Sequence, residues 1–275
     1  MKTYLFALIF FLFNLSSYMF AQAGLDIIVE ENSTGLTIVK SKGSAKILEI
    51  PESIDDKPVT IIGDNAFTGK GLIQVTIPDS ITSIGNGAFS YNSLETISLG
   101  DNVASIGRGA FTGNKLVTVT LGSGLNDIGK GAFSNNRINS ISLPDSVVTI
   151  DDYAFLNNKI KDVAIPANVT FIGEGAFSGN LLTQIEVGGS VSEIGGGAFY
   201  NNKISSVTIP SSLETLGKRA FDTRSPDGRI RGNINYTDDA GNVLFTTAND
   251  FDSFFNFNGR KPGKYSLVDG NWQSD

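Results

Sequence analysis

The chain has 275 residues, of which 40% are apolar, and its 28 acidic and 21 basic residues give a formal net charge of −7. An acidic chain is poorly suited to nucleic acid or to an anionic membrane surface, because both reward Lys and Arg. The absence of Cys and His excludes disulfides, thiolate nucleophiles, the commonest general base and the commonest metal ligand. We therefore expect no nucleic-acid partner, no metal and no cofactor.

Residues 1–23 are predicted to be a secretory signal peptide. Lys2 supplies the positive charge, residues 4–13 form an apolar run, and Ala21-Gln22-Ala23 matches a small-x-small cleavage site. We expect cleavage after Ala23, a secreted or cell-surface location, and no transmembrane span in the remaining chain. The alternative is an uncleaved membrane anchor, since the segment after Lys2 carries no charge.

Residues 24–49 are predicted to form an N-terminal cap. They contain two short apolar stretches typical of strands, residues 25–29 and 36–39. A cap is expected because an open sheet edge at the end of a repeat protein invites aggregation.

An Ala-Phe pair then recurs at an interval of 22 residues without insertion. An Asn follows most copies by three residues, and aliphatic residues and a Pro or Gly keep the same phase. Self-similarity of this kind indicates a solenoid, in which each coil buries its apolar face only against its neighbours. The repeated phenylalanines are Phe67, Phe89, Phe111, Phe133, Phe155, Phe177, Phe199 and Phe221.

One repeat shows how a coil is predicted to form. Ile97 and Leu99 alternate with polar residues, which indicates a short strand with one buried face. Gly100, or Pro in other repeats, ends that strand, and Val103 and Ile106 form the returning side of the coil. Stacking in register would align like residues into a parallel sheet and a spine of phenylalanines. The pattern predicts a mostly β repeat solenoid over residues 50–222, capped at both ends.

The unit Ile-Gly-x-x-Ala-Phe-x-x-Asn-x-Leu-x-x-Ile-x-Leu-Pro/Gly-x-x-Val resembles the BspA-like, or Treponema-type, leucine-rich repeat. The segment from Ile50 to Phe67 is similar to the usual N-terminal opening of that family. The resemblance implies a right-handed leucine-rich-repeat coil on a secreted or surface-exposed bacterial protein, and some members are associated with adhesion. The family unit often has Cys where this chain has Asn92 and its equivalents.

Residues 223–275 differ from the repeats and are rich in aromatic residues. Asp239-Ala240-Gly241-Asn242 and Asn258-Gly259 are typical of hairpin turns. We interpret this segment as a C-terminal β cap. The alternative is a small module for ligand binding or surface attachment.

Two sets of polar residues are candidates for a binding surface. The first occupies exposed positions of the predicted strands, where small hydroxyl groups would also suit a flat sheet without any ligand. It comprises Gln74, Thr96, Thr118, Ser140, Asp162, Gln184 and, in the neighbouring row, Glu186. The second set, here called the basic row, shares one repeat position that Leu181 interrupts, and it comprises Lys115, Arg137, Lys159 and Lys203. An anion contact and a merely solvated turn both explain the basic row.

Two further repeated features are predicted to serve the fold. Stacked Asn side chains, such as Asn92 and Asn114, would satisfy backbone groups of adjacent coils. The Gly-x-Gly pairs never complete a phosphate-binding Gly-x-Gly-x-x-Gly motif, so we interpret them as tight turns.

These patterns predict a non-catalytic protein that is secreted or held at the cell surface and binds an unknown protein or glycan. A structural envelope or matrix component without a discrete ligand is the first alternative. A glycoside hydrolase that uses two carboxylates is the second, but a regular solenoid without insertions offers no evident cleft for the pair.

Overall fold

The computed structural model describes residues 17–20, 26–222, 234–237, 243–247, 265–268 and 271–274. These residues form short strands and turns and contain no helix, so none of them belongs to a helix able to cross a membrane. The predicted cleavage site at Ala21-Gln22-Ala23, the remainder of the predicted signal peptide except residues 17–20, and the predicted C-terminal hairpin turns lie outside the described residues.

A twelve-stranded sheet follows one side of the stacked coils. The sheet contains β1 Ser17–Phe20, β2 Ile27–Asn32, β3 Gly35–Ser41, β5 Ser53–Ile54, β6 Lys57–Ile62, β8 Ser83–Ile84, β10 Ser105–Ile106, β12 Asp127–Ile128, β13 Thr149–Ile150, β14 Phe171–Ile172, β16 Glu193–Ile194 and β18 Thr215–Leu216. From β6 to β18 neighbouring strands pair in parallel, and partner residues are 22 positions apart, as in Ser83 with Ser105. The two-residue strands from β8 onward are here called return strands.

The opposite side of each coil carries the strands that the alternating pattern predicts, here called front strands. The bounds are β4 Ile47–Glu49, β7 Gln74–Thr76, β9 Thr96–Ser98, β11 Thr118–Thr120, β15 Gln184–Glu186 and β17 Ser206–Thr208. In β9, for example, Ile97 is buried between two exposed neighbours. The coils around Ile141 and Val163 have no front strand, although both residues are buried, and only an isolated bridge joins Ala164 to Glu186.

The continuous parallel sheet therefore lies on the return side, whereas the sequence pattern placed the sheet on the front strands. Each return strand contributes one buried aliphatic residue, such as Ile106, and its backbone is bonded to the coils on both sides. The hydrogen bonds continue into the following turn, where the Gly107 N–H donates to Ile84 O at 2.7 Å. The 22-residue period makes this pairing possible, because every coil presents the same backbone groups at the same height.

A spine of stacked phenylalanines fills the interior, as the sequence predicts. The eight rings from Phe67 to Phe221 lie 5.1–5.4 Å apart between centroids, with neighbouring planes within 11° of parallel. All eight are at most 3% exposed, and the Ala before each of them is buried as well. The centroid distance is also the spacing between coils. It matches the spacing of hydrogen-bonded strands, about 4.8 Å.

Antiparallel strands adjoin the stack at both ends. The hairpin β2–β3 joins the principal sheet through parallel pairing of β3 with β6, and β1 pairs with β2. Front-strand pairing already begins at β4, inside the segment predicted as a cap. At the other end β19 Ile234–Thr237 pairs in parallel with β17 and antiparallel with β20 Val243–Thr247. A separate hairpin joins β21 Tyr265–Val268 to β22 Asn271–Ser274.

Candidate functional site

The basic row lies where each coil turns towards its front strand. The side chains of Lys115, Arg137, Lys159 and Lys203 are all exposed, and none of them forms an ion pair with a described residue. Each residue is held in register by its backbone, since its N–H donates to a carbonyl of the preceding coil at 2.9–3.0 Å. Four cations are therefore displayed along one edge of the solenoid, with the half-buried Leu181 between the third and the fourth.

The predicted front-face residues are exposed on the opposite side of the front strands from the core. These residues are Gln74, Thr96, Thr118, Ser140, Asp162, Gln184 and Glu186. Thr96 lies directly beside Thr118 in the β9–β11 pair. Ile73, whose exposed fraction is 53%, and Val117, at 38%, adjoin these polar positions and add apolar surface that the sequence pattern did not single out.

The ladder of asparagines has the structural role that the sequence predicts. Asn136 Oδ1 accepts the Leu116 N–H at 3.1 Å, while its Nδ2 donates to the carbonyls of Phe111 at 2.9 Å and Phe133 at 3.1 Å. The same three contacts recur at every step from Asn92 to Asn202. These side chains are buried and satisfy buried backbone groups, so they offer nothing to a ligand.

The second glycine of each Gly-x-Gly pair occupies a left-handed turn. Gly87, Gly109, Gly131, Gly175 and Gly197 all have φ between 58° and 63°. The sequence interpretation of these pairs as turns is confirmed. The same position holds Asn65, Tyr153 and Arg219 in the other coils, with φ of 56°, 58° and 60°. A left-handed conformation costs a residue with a bulky side chain about 1–2 kcal/mol, so Tyr153 and Arg219 are placed there against a conformational preference.

These two residues border a solvent-facing groove of about 330 Å³ that spans four coils. Tyr153 and Tyr200 contribute aromatic side chains, and Gly175, Gly196 and Gly197 leave the space between them unfilled. Glu174, Ser178, Lys218 and Arg219 complete the lining. The Tyr153 ring lies directly over Gly175. A Cβ atom on that glycine would come within 2.6 Å of the ring.

A backbone donor is left available in this groove because the residue that could accept it has no side chain. In three earlier pairs of coils the residue three positions before the repeated Phe accepts the backbone N–H of its counterpart in the next coil, whereas Arg108, Lys130 and Glu174 at the same position accept no such bond. Asn86 Oδ1 thus accepts the Arg108 N–H at 2.8 Å, and Asp152 Oδ1 accepts the Glu174 N–H at 2.8 Å. In the coil before Lys218 the same repeat position is occupied by Gly196, which has no side chain that could accept a hydrogen bond. The N–H of Lys218 consequently makes no hydrogen bond with any described residue.

Charged groups surround both tyrosines of the groove. The Tyr153 hydroxyl donates to the Glu174 carboxylate, and this hydrogen bond raises the pKa of Tyr153 to about 12. The Lys130 ammonium lies 5.4 Å from the centre of the Tyr153 ring. The Arg219 guanidinium lies 4.5 Å from the centre of the Tyr200 ring.

Arg219 is also anchored within its own turn. Its Nε donates to Asp222 Oδ2 at 2.9 Å, and this hydrogen bond raises the pKa of the guanidinium. Arg219 therefore stays charged and fixed beside Tyr200.

Carboxylates do not gather into a site elsewhere in the part of the chain that the structure describes. No group of three or more acidic side chains there could hold a metal ion. Asp101 illustrates the usual role of these residues, because its Oδ1 accepts the Ser123 N–H of the next coil at 2.7 Å, which lowers its pKa.

Sequence reasoning assigned no ligand-binding role to any groove residue, and it singled out only Gly175 and Gly197, as turn glycines. The available signal was a local loss of the repeat pattern, in which Tyr153 replaces a turn glycine and Gly196 replaces a polar residue.

Family comparison identifies the repeat. The BspA type leucine-rich repeat region matches residues 42–161 and 148–238 in six copies, whereas no curated protein matches the chain.

Two solved structures of bacterial proteins share the fold, and a third is similar over much of its length. A leucine-rich repeat protein from Bacteroides ovatus is 20% identical with a TM-score of 0.52, covering 83% of this chain and 71% of that one. The pneumococcal vaccine antigen PcpA is 17% identical with a TM-score of 0.54, covering 82% and 71%. A leucine-rich cell surface protein from Faecalibacterium prausnitzii is 22% identical with a TM-score of 0.48, covering 80% and 76%. Since the family match spans well over half of the sequence, the chain belongs to the BspA-type leucine-rich repeat family.

Proposed function

We propose that the protein is exported and recognises an anionic protein or glycan at the cell surface or beyond it, without catalysing a reaction. BspA-type leucine-rich repeats are scaffolds that are usually non-catalytic and that support binding through repeated surface positions. The absence of His and Cys from the whole chain agrees with a binding role, because the usual general base and the strongest nucleophile are missing.

The basic row is the observation that carries this proposal. These coils are 5.3–5.4 Å apart, so Lys115, Arg137 and Lys159 place three like charges on successive coils. Two unit charges at about 5 Å repel by about 0.8 kcal/mol in water, and by less with salt. In a chain of net charge −7 these cations are exposed and form no ion pair with a described residue. A bound anion would offset the repulsion between these side chains, and this would explain why like charges are placed on successive coils.

The front face is the second part of the proposed binding surface. Its hydroxyl, amide and carboxylate groups, from Gln74 to Glu186, provide donors and acceptors at a regular spacing along the stack. Recognition on this surface would follow the repeat, with one set of contacts for each coil.

A salt-dependent binding screen tests the proposal. Residues 24–275 would be screened by surface plasmon resonance against matrix proteins, acidic glycans and bacterial surface fractions at two salt concentrations. We expect a saturable partner whose affinity falls as salt rises. Replacing Lys115, Arg137, Lys159 and Lys203 with Gln should reduce that affinity at least about tenfold, about 1.4 kcal/mol.

The matched control replaces four exposed basic residues outside the row, Lys40, Lys42, Lys46 and Arg108, with Gln. This variant has the same net charge and should bind almost as the unaltered protein does. Equal losses in the two variants would contradict a role for the row. A well-folded protein without any saturable partner would favour the structural envelope or matrix role instead.

A further inference from the structure

The groove between Tyr153 and Tyr200 has properties that the fold itself does not require. A left-handed turn position is filled by Gly in five coils, so Tyr153 adds strain that a glycine would avoid. Gly196 has no side chain at the repeat position from which Asn86 and Asp152 accept the backbone N–H of the next coil. One change adds an aromatic wall and the other opens a space beside it. Both fall in the same groove of about 330 Å³.

The charges in the groove select the chemistry of a ligand. Lys218 presents an ammonium group that forms no ion pair with a described residue, together with the available N–H of its own backbone. In three earlier coils the equivalent N–H, that of Asn86, Arg108 or Glu174, donates to a carboxylate or amide oxygen of the preceding coil, so an oxygen of a ligand fits the space above Gly196. A cationic ligand is disfavoured, because Lys130 and Arg219 already lie against the tyrosine rings.

The remaining lining suits a ring that carries hydroxyl groups. Aromatic faces are electron-rich and attract the positively polarised C–H groups of a sugar. Ser178 contributes a hydroxyl that makes no side-chain hydrogen bond with a described residue, and the Glu174 carboxylate is an acceptor. The volume is at the lower end of the range for small-ligand sites, about 300–1,000 Å³. An inorganic anion would leave the aromatic walls unused.

We propose that this groove binds a carboxylated sugar unit of an acidic glycan, with the carboxylate at Lys218 and the ring against Tyr153 and Tyr200. The inference deepens the proposed binding function and rests on it for access to extracellular glycans. Its site is separate from the basic row, so each can fail without the other.

Proton–nitrogen correlation NMR on the full chain tests the inference with two matched probes, glucuronate and the neutral sugar glucose. We expect glucuronate to bind and to shift the amide resonance of Lys218, with glucose at least about tenfold weaker because it lacks the charge-assisted contact. Equal binding of the two sugars would overturn the proposal. So would a peptide of glutamates that shifts the Lys218 amide at concentrations where glucuronate does not.

Gly196→Asn is the sharpest variant, since it supplies an acceptor for the Lys218 N–H and fills the groove. A Cβ at this position meets nothing closer than 3.5 Å, and φ is not in the left-handed region, so the fold should be retained. Glucuronate affinity should fall at least about tenfold. Arg108→Asn places the same residue at the same repeat position outside the groove, and should leave the affinity within about twofold. Unchanged binding in Gly196→Asn would refute the site.

Tyr153→Gly provides a second variant that does not depend on filling the groove. It introduces the residue that five other coils carry at this turn. We expect glucuronate binding to be lost while the thermal midpoint is unchanged or higher. Retained binding in a folded Tyr153→Gly protein would contradict the stacking role of the ring.

Discussion

Asn136→Ala should destabilise the solenoid, and the hydrogen bonds of the asparagine ladder give the magnitude. The carbonyls of Phe111 and Phe133 are each shared with the neighbouring asparagine of the ladder, so both keep one donor after the substitution. The Leu116 N–H has only Asn136 as acceptor and would be left unpaired in the interior. An unpaired buried group costs about 1–3 kcal/mol, and two lost shared bonds add about 0.5 kcal/mol or more each. The expected loss is about 3 kcal/mol.

Urea unfolding followed by circular dichroism measures this loss, and native-state hydrogen exchange locates it. The Leu116 amide should exchange much faster in the variant, while amides several coils away keep their protection. Asn139→Ala, in an exposed position of the same coil, is the control and should cost less than about 0.5 kcal/mol. A loss below about 1 kcal/mol in Asn136→Ala, with unchanged exchange at Leu116, would refute the assignment of the ladder as a structural device.

Two further predictions concern the aromatic residues. Phe133→Ala should cost about 3–5 kcal/mol, because the ring is fully buried and stacks on both neighbours, whereas the partly exposed Val148→Ala should cost under about 1 kcal/mol. Comparable urea midpoints for the two variants would show that the stacked phenylalanines contribute no more to the free energy of unfolding than a partly exposed valine does. Tyr153 should keep its proton until about pH 12, since its pKa is raised from 10.0 by the hydrogen bond to Glu174. The stabilisation from that bond is complete below pH 10 and is lost as pH rises towards 12. Ultraviolet difference titration of the unaltered protein against Tyr153→Phe measures the pKa of Tyr153. A pKa near 10, equal to the value that Tyr153 has in Glu174→Gln, would count against the hydrogen bond.

The repeat made the interior predictable, because the buried positions are sampled six to eight times in one chain. The phenylalanine spine and the front strands follow from the phase of Phe67 to Phe221 and from alternation around residues such as Ile97. The return strands were not predicted. A two-residue strand such as Ser105–Ile106 has one buried side chain and no alternation to detect, and its existence depends on pairing with coils 22 residues away.

The groove was beyond sequence reasoning for a different physical reason. It depends on Tyr153, Gly196, Tyr200 and Lys218, which occupy three different repeat positions in three coils. Each departure is unremarkable by itself, and only the stacking of the coils brings them together. The basic row was easier to find, because its members share a single position.

The constant spacing of the coils has an evolutionary consequence. Gain or loss of one 22-residue unit leaves every remaining coil facing the same surfaces, so the length of such a chain can change by recombination without repacking the interior. The two candidate surfaces respond differently to such events. Loss of one coil from the basic row removes a single charge, whereas loss of the coil that contains Gly196 removes the groove. A site distributed over unlike coils therefore constrains repeat number, while a site built from identical positions leaves it free to vary.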